Sequence, residues 1–561
     1  MLLFALPAQA DTIGDKKSFF VDPTYDIKQR SQINATMILQ SERANFYIED
    51  GYWDGLDSSG QARVRSFTDG IAGEFDRNIY PKETSLLGQE PNPGIDGDPR
   101  ITIVVGPLIR TIGGYFDTGN GRSKSEIANS NEREMFFLNM SESSDIKRSS
   151  AFIAHEFQHL ISFNIKEIIN KVSDDIWLNE LRSEYAVTLV GYDEPYIGST
   201  LDRRAAAFLE NPRDSVTEWK NLISDYGSVS IFGEYLRQRW SSKLFKDMLS
   251  SKLTGIPSVE EALRAQGETE AFKEVFTDWL VALIINDTSK NPKFGFTRPE
   301  LRNLRATPVT INIGAAEQIQ VQDSLADWQP RWYDLQGLGP SGGQALKIQF
   351  DSPSLGSFQV SYLIGKNDGS YELKTIDLLN GAKSIEIDGI GVGVTRVILM
   401  PFKKDRLLGF GADEPKINLN MTIARGEQSP LLEKFNLREG DFIRAEGDYN
   451  VYIVNAFGYK RLVLSPEICL LYKHLGDRGC FDAVKEVNPE ARDAFRTSNY
   501  YTDGETNDGK IFLLEITGED SATLKEEIFS GDRNSIFLIN TREKKSYQQF
   551  SSTQNIFSSI M

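Results

Sequence analysis

The string His155-Glu156-Phe157-Gln158-His159 spaces two imidazoles four residues apart and places a carboxylate directly after the first. On an α-helix that spacing projects both rings from one face, about 5–6 Å apart, so both can reach one metal ion. Zinc suits neutral imidazole and accepts three protein ligands with an open position at little geometric cost. Glu156 points toward the side of such an ion where a water must sit, and there it can take that water's proton. The chain holds only three histidines, and this string uses two of them. Histidine supplies most metal and acid–base chemistry near neutral pH, so such chemistry is concentrated here. His474 has no second ligand at motif distance and reads as a surface or locally hydrogen-bonded residue.

A hydrolytic zinc needs a third protein ligand. The metzincin pattern would place another histidine at the position occupied by Ile165, and His474 is remote in sequence, so the ligand must be a carboxylate. Glu180 is the best placed, in Trp177-Leu-Asn-Glu180-Leu-Arg-Ser-Glu184-Tyr185-Ala186. One turnaround after His159 and an antiparallel helix would present it to the ion.

The elements around these residues follow from the pattern. Ala151, Phe152, Ile153, Ala154, Phe157, Leu160, Ile161 and Phe163 make the first string apolar almost all round, which predicts a buried helix over 150–165 capped by Ser149 or Ser150. Further helical spacing covers 61–78, 178–190, 229–240 and 270–286, while Ala44-Asn-Phe-Tyr-Ile48 and Arg100-Ile-Thr-Ile-Val-Val105 read as strands. The proline-rich segment 291–308 reads as a linker. Beyond it, short alternating runs such as Leu346-Lys-Ile-Gln-Phe350 and Val394-Thr-Arg-Val-Ile398 carry the signature of a β-sandwich.

The chain has 561 residues, 40% hydrophobic and 25% charged, ordinary for a globular protein with full cores. No apolar run approaches the 18 or so residues needed to span a bilayer; the longest, around 279–285, reads as a buried helix. A net charge of −18 disfavours nucleic acid as a partner. Met1-Leu-Leu-Phe-Ala-Leu-Pro-Ala8-Gln-Ala10 is apolar and ends in the small-residue spacing a signal peptidase accepts. It lacks a positively charged start and reads as the tail of a secretory signal whose beginning is missing. Export makes a disulfide between the only two cysteines, Cys469 and Cys480, the expected state.

These segments predict a multidomain α+β protein. It comprises a signal-peptide remnant over 1–10, an α/β N-terminal subdomain over 25–145 and a helical zinc-binding subdomain over 146–300. A β-sandwich accessory domain over 310–425 and a β-rich C-terminal module over 430–561 follow.

The H-E-x-x-H string followed by W-L-N-E-x-x-S-E-Y-A resembles the gluzincin metallopeptidases and, within them, most the hyicolysin-like secreted peptidases. The resemblance extends to Asp96-Gly-Asp98-Pro-Arg-Ile-Thr-Ile-Val, Gly113-Gly-Tyr-Phe-Asp117, Glu132-Arg-Glu-Met-Phe-Phe-Leu-Asn139 and Asp225-Tyr226-Gly227, covering about residues 30–290. It implies a gluzincin-type catalytic domain in which His155, His159 and Glu180 are the zinc ligands. Glu156 is then the general base that returns its proton to the leaving amine. Glu184 falls where such enzymes keep a carboxylate that orients the first histidine. Tyr226 matches the tyrosine that supports the oxyanion, with Tyr185 as second choice. The segment 132–139 resembles the edge strand of the catalytic sheet, and 134–139 would take an extended peptide substrate.

The function this implies is a secreted or cell-surface zinc-dependent metalloendopeptidase acting on protein or peptide substrates. The aminopeptidase branch shares the W-L-N-E wording but carries G-x-M-E-N upstream, which is missing before His155. An adhesin with a vestigial peptidase domain is the alternative from another class, its β-modules making cell-surface or matrix contacts. Asp96-Gly-Asp98 also resembles the start of a calcium loop, but the other ligands at EF-hand spacing are missing and a tight turn is the plainer reading.

Overall fold

The computed structural model describes residues 11–140, 145–313, 318–337, 345–390, 393–404, 415–425, 431–472, 483–505, 510–518 and 521–550. The chain is mixed α and β with several sheets, and it divides into two compact units. The first runs to Thr307 and includes Asp327–Pro330; the second holds Pro308–Ala326, Arg331–Asp405 and the chain from Lys416 onward. Among the described residues, no helix is long and apolar enough to cross a membrane. The segment 1–10, His474 and Cys480 lie outside the described residues.

The first unit is built on a six-stranded sheet: β1 (Lys16–Phe20), β2 (Gln32–Gln40), β3 (Ala44–Glu49), β4 (Ile101–Gly106), β5 (Gly114–Phe116) and β6 (Met135–Asn139), in the order β1-β2-β3-β4-β6-β5. The β-sheet therefore starts upstream of residue 25. Strands β3, β4 and β6 are parallel, and every residue of all three is buried. Central parallel strands covered on both faces have no solvent side to mark with alternating polar residues, which is why these segments read as mainly apolar runs, with Asn45, Glu49, Thr102 and Asn139 as their buried polar exceptions. One face packs Phe19, Met37, Tyr47, Val104, Tyr115 and Phe137 into a single cluster.

The segment 134–139 is thus an interior strand. The edge is β5, paired antiparallel to β6 with Gly114 opposite Leu138 and Phe116 opposite Phe136. At three residues β5 is too short to show a sequence period.

Helices α1 (Asp50–Asp54), α2 (Ser58–Glu74) and α3 (Tyr80–Leu87) connect β3 to β4. After β6 come α4 (Ile146–Ser162), α5 (Ile176–Val190), α6 (Thr200–Glu210), α7 (Ile223–Trp240), α8 (Lys243–Ser250), α9 (Gly255–Ala265) and α10 (Phe272–Ile285). Helix α4 lies against β5, β6, α2 and α5. It begins earlier than its apolar pattern suggests. Asp145 is the N-cap, accepting from the Arg148 N–H at 3.0 Å, while Ser149 and Ser150 are buried inside the first turns. Past Ser162 the helix widens into a π turn over Phe163–Ile169.

The segment 291–307 is no free linker. The Asn286 side chain donates to the carbonyls of Leu301 and Leu304 at 2.8 and 2.7 Å and accepts from the Phe296 N–H at 2.9 Å. Phe294, Phe296, Leu301 and Leu304 are buried. The segment is thus a packed part of the first unit, which runs to Thr307.

In the second unit, β7 (Val309–Asn312), β8 (Gln318–Leu325), β9 (Tyr333–Gln336), β10 (Leu346–Lys366), β11 (Tyr371–Ile387), β12 (Val394–Lys403) and β13 (Ile417–Arg425) form one hydrogen-bonded network. The long strand β10 pairs β11 along its length, then β13 with its first half and β12 with its second. The network branches at a register shift between Ser352 and Ser357, and both branches bury side chains in one core with Ile348, Phe350, Val360, Leu399 and Met421. The strands read from the sequence as a β-sandwich thus belong to one hydrogen-bonded network around a single core. The remaining chain carries a five-stranded and a four-stranded sheet that share a core including Phe442, Tyr501, Leu514 and Phe537. Cys469 is buried in that core.

Candidate metal centre

Helices α4 and α5 bring His155, His159 and Glu180 together, with one ligand atom from each within 4.8 Å of the others. The Nε2 atoms of the two rings lie 3.2 Å apart. Glu180 Oε2 is 3.2 Å from His155 Nε2, and Glu180 Oε1 is 3.6 Å from His159 Nε2. The far side of each ring is held by an acceptor. Ser183 Oγ donates to Gln158 Oε1 at 2.5 Å, so its lone pair is available to the His159 Nδ1–H at 3.1 Å. His155 Nδ1 sits 3.4 Å from Glu184 Oε1.

With each Nδ1–H turned toward these partners, each Nε2 can offer its lone pair to a cation shared with the Glu180 carboxylate. Glu180 Oε2 is buried without a hydrogen-bond partner. Three electron-pair donors converging on one point fit a cation, and two imidazoles with one carboxylate suit zinc. The local field agrees. Burial by itself would lower the His155 pKa, but Glu180 and Glu184 raise it to about 10. Burial would raise that of Glu180, but the two histidines hold it well below the ordinary carboxylate range.

Glu184 is a buried hub. It accepts from Arg204 Nε and Nη2 at 2.9 and 2.7 Å and from Ser230 Oγ at 3.0 Å. Arg204 comes from α6 and Ser230 from α7. Those helices meet closely because position 227 is glycine: a Cβ there would lie 2.7 Å from the Phe208 backbone nitrogen. Ser183 could have been found in the sequence, since it follows Glu180 by three residues and so shares its helix face. Arg204 and Ser230 carry no local signal, because their partner is on another helix.

Glu156 is buried one position past the first ring, where the Phe116 N–H bonds its carboxylate. Burial raises its pKa, against the pull of both histidines. Strand β5 approaches this closely because Gly114 has no side chain: a Cβ would stand 2.6 Å from the Phe137 carbonyl oxygen and 3.4 Å from Glu156 Cγ. A cleft of about 480 Å³ opens beside the triad, lined by Tyr25, Tyr115, Phe116, Phe163, His159 and Glu180 among others.

Tyr226 stands beside the centre, its ring 6.4 Å from that of His155. Arg204 packs over the Tyr226 ring at 4.3 Å, and the phenol donates to Asn221 Oδ1 at 3.1 Å. Burial, then the Glu180 charge, pushes the Tyr226 pKa upward, so it remains a neutral donor. Tyr185 is elsewhere: it is buried and stacked on Phe245 at 3.8 Å, because the residue after Glu184 faces away from the histidines. Asp96 and Asp98 serve a turn, accepting from the backbone N–H groups of Asp98 and Arg100, and Asp98 also accepts from Asn45.

No protein-family model and no characterised protein matches the sequence. Among solved structures, slight partial likenesses include the Yersinia pseudotuberculosis-derived mitogen, with a TM-score of 0.15 and 9% identity over 20% of this chain and 88% of that one. The Tobacco streak virus coat protein gives a TM-score of 0.11 and 12% identity over 20% of this chain and 88% of its own. Neither bears on the metal centre.

Proposed function

We propose that this chain is a zinc-dependent endopeptidase of gluzincin type that acts outside the cell. The observation that carries the reading is the convergence of His155 Nε2, His159 Nε2 and a Glu180 oxygen beside a cleft, with Glu156 buried next to them. His155, His159 and Glu180 would hold the ion. Bound zinc supplies Lewis-acid polarisation of the peptide carbonyl and of the attacking water.

The chain's own residues divide the remaining work. Glu156 takes a proton from the water and gives it to the leaving amine; burial raises its pKa, which favours holding that proton between the two transfers. Glu184 and Ser183 fix the tautomer and orientation of the two rings. Tyr226 would support the oxyanion from the His155 side by exchanging its bond to Asn221 Oδ1 for one to the substrate. An extended peptide would lie along the edge strand β5, whose backbone aligns the scissile carbonyl with the triad. The apolar first ten residues support export, and the β-rich second unit would contact a cell surface or matrix.

The test is metal analysis combined with casein hydrolysis. The expected result is one zinc per chain and cleavage abolished by a chelator. Glu156→Gln keeps its zinc but loses about 10²–10⁴-fold in rate. A chain that binds zinc yet cleaves no protein in a mixed peptide library refutes the proposal.

A further inference from the structure

Tyr25 belongs to the loop between β1 and β2, remote in sequence from the triad, yet it lines the cleft that contains His159, Glu180 and Phe116. Its backbone is tied on both sides. The Tyr25 N–H donates to the Asp22 carbonyl at 3.1 Å, and its own carbonyl accepts from the Ile109 N–H at 2.9 Å. The next residue, Asp26, bridges to Leu108 and pairs with Arg30 at 2.7 Å. The Tyr25 ring lies 4.9 Å from that of Tyr115, which stacks on Phe137 at 4.6 Å.

All of this fixes the ring without using the hydroxyl, which has no hydrogen-bond partner among the described residues. Burial, then the charges of Asp22, Glu156 and Glu180, raise its pKa, so the phenol keeps its proton and lies within electrostatic reach of the general base and a ligand. Tyr226, by contrast, already donates to Asn221. A pre-fixed ring loses little freedom when a ligand binds, and a donor aimed at developing negative charge can contribute about 10²–10³-fold to rate.

We propose that Tyr25 is a substrate-contacting residue whose hydroxyl donates to the carbonyl oxygen of a peptide held in the cleft. The proposal rests on the peptidase reading above. The test compares wild-type and Tyr25→Phe full-length chains, both zinc-loaded, in fluorescein-casein hydrolysis and in calorimetric titration with a phosphonamidate dipeptide, an anionic stand-in for the tetrahedral intermediate.

The expected result is a fall of about 10²-fold in both kcat/KM and phosphonamidate affinity, with zinc content and thermal midpoint unchanged. If wild type cleaves casein and Tyr25→Phe stays within about twofold of it in both readouts, the role of Tyr25 is overturned and the peptidase reading stands. A zinc-loaded wild type that cleaves nothing and ignores the phosphonamidate overturns both.

Discussion

Glu184 faces His155 across the contact between α4 and α5, with Oε1 3.4 Å from Nδ1, while the same carboxylate takes a two-pronged bond from Arg204. The orientation of one ring is thereby set by a guanidinium on a third helix. Under the proposed function, ring orientation would decide whether the Nε2 lone pair points at the ion, and metal affinity would depend on residues that never touch it.

Glu184→Ala should weaken zinc binding about 10- to 100-fold, and Arg204→Met about 10-fold. Competition against a chromophoric chelator measures both. An Arg204→Met chain with wild-type affinity would show that Glu184 holds the ring unaided.

Acid should dissolve this arrangement in a defined window. Burial would raise the Glu184 pKa, but Arg204 and His155 hold it at about 2, against 4.5 unperturbed. A carboxyl depressed in the folded state contributes stability that is complete above its unfolded pKa and is lost as pH falls through the folded one. Wild type should lose on the order of 3 kcal/mol from this group between about pH 5 and pH 2. Urea titrations across that range should give a flatter profile for Glu184→Gln, and parallel profiles would exclude Glu184 as the source.

Gly227→Ala probes the helix contact that delivers Arg204 and Ser230. The added Cβ would stand 2.7 Å from the Phe208 nitrogen and 3.0 Å from the Arg204 carbonyl, backbone atoms that cannot swing away. A loss of about 1–3 kcal/mol in denaturant unfolding is expected, with zinc affinity falling alongside it. Loss of stability without loss of affinity would mean that α6 and α7 separate without disturbing Glu184.

Asn286→Ala should release the segment 291–307. Three backbone groups would lose the partners this side chain supplies, at a cost of about 1–3 kcal/mol for each one left buried and unpaired. Limited proteolysis should then cut within this segment, which the wild-type chain protects. Equal resistance would show that Phe294, Phe296, Leu301 and Leu304 hold it by packing alone.

His155, Glu156 and His159 could be placed from the sequence because their relationship is a property of one helix: a four-residue interval fixes which face each side chain shares, whatever the helix packs against. The buried character of α4 and the strands β3 and β4 were legible for the same reason, since apolar period reports local conformation and burial. The sequence also narrowed the candidate third ligand to a carboxylate by leaving no other histidine nearby.

What only the tertiary structure decided are relationships between elements. β5 rather than β6 is the edge, because strand order depends on long-range pairing and not on strand composition. Tyr185 packs on Phe245 and Tyr25 lines the cleft because side-chain direction and loop path are set by packing partners. The Arg204–Glu184–His155 chain crosses from α6 through α5 to α4. No local interval in the sequence encodes such a contact, since its free energy arises only when the three helices bury their polar side chains together.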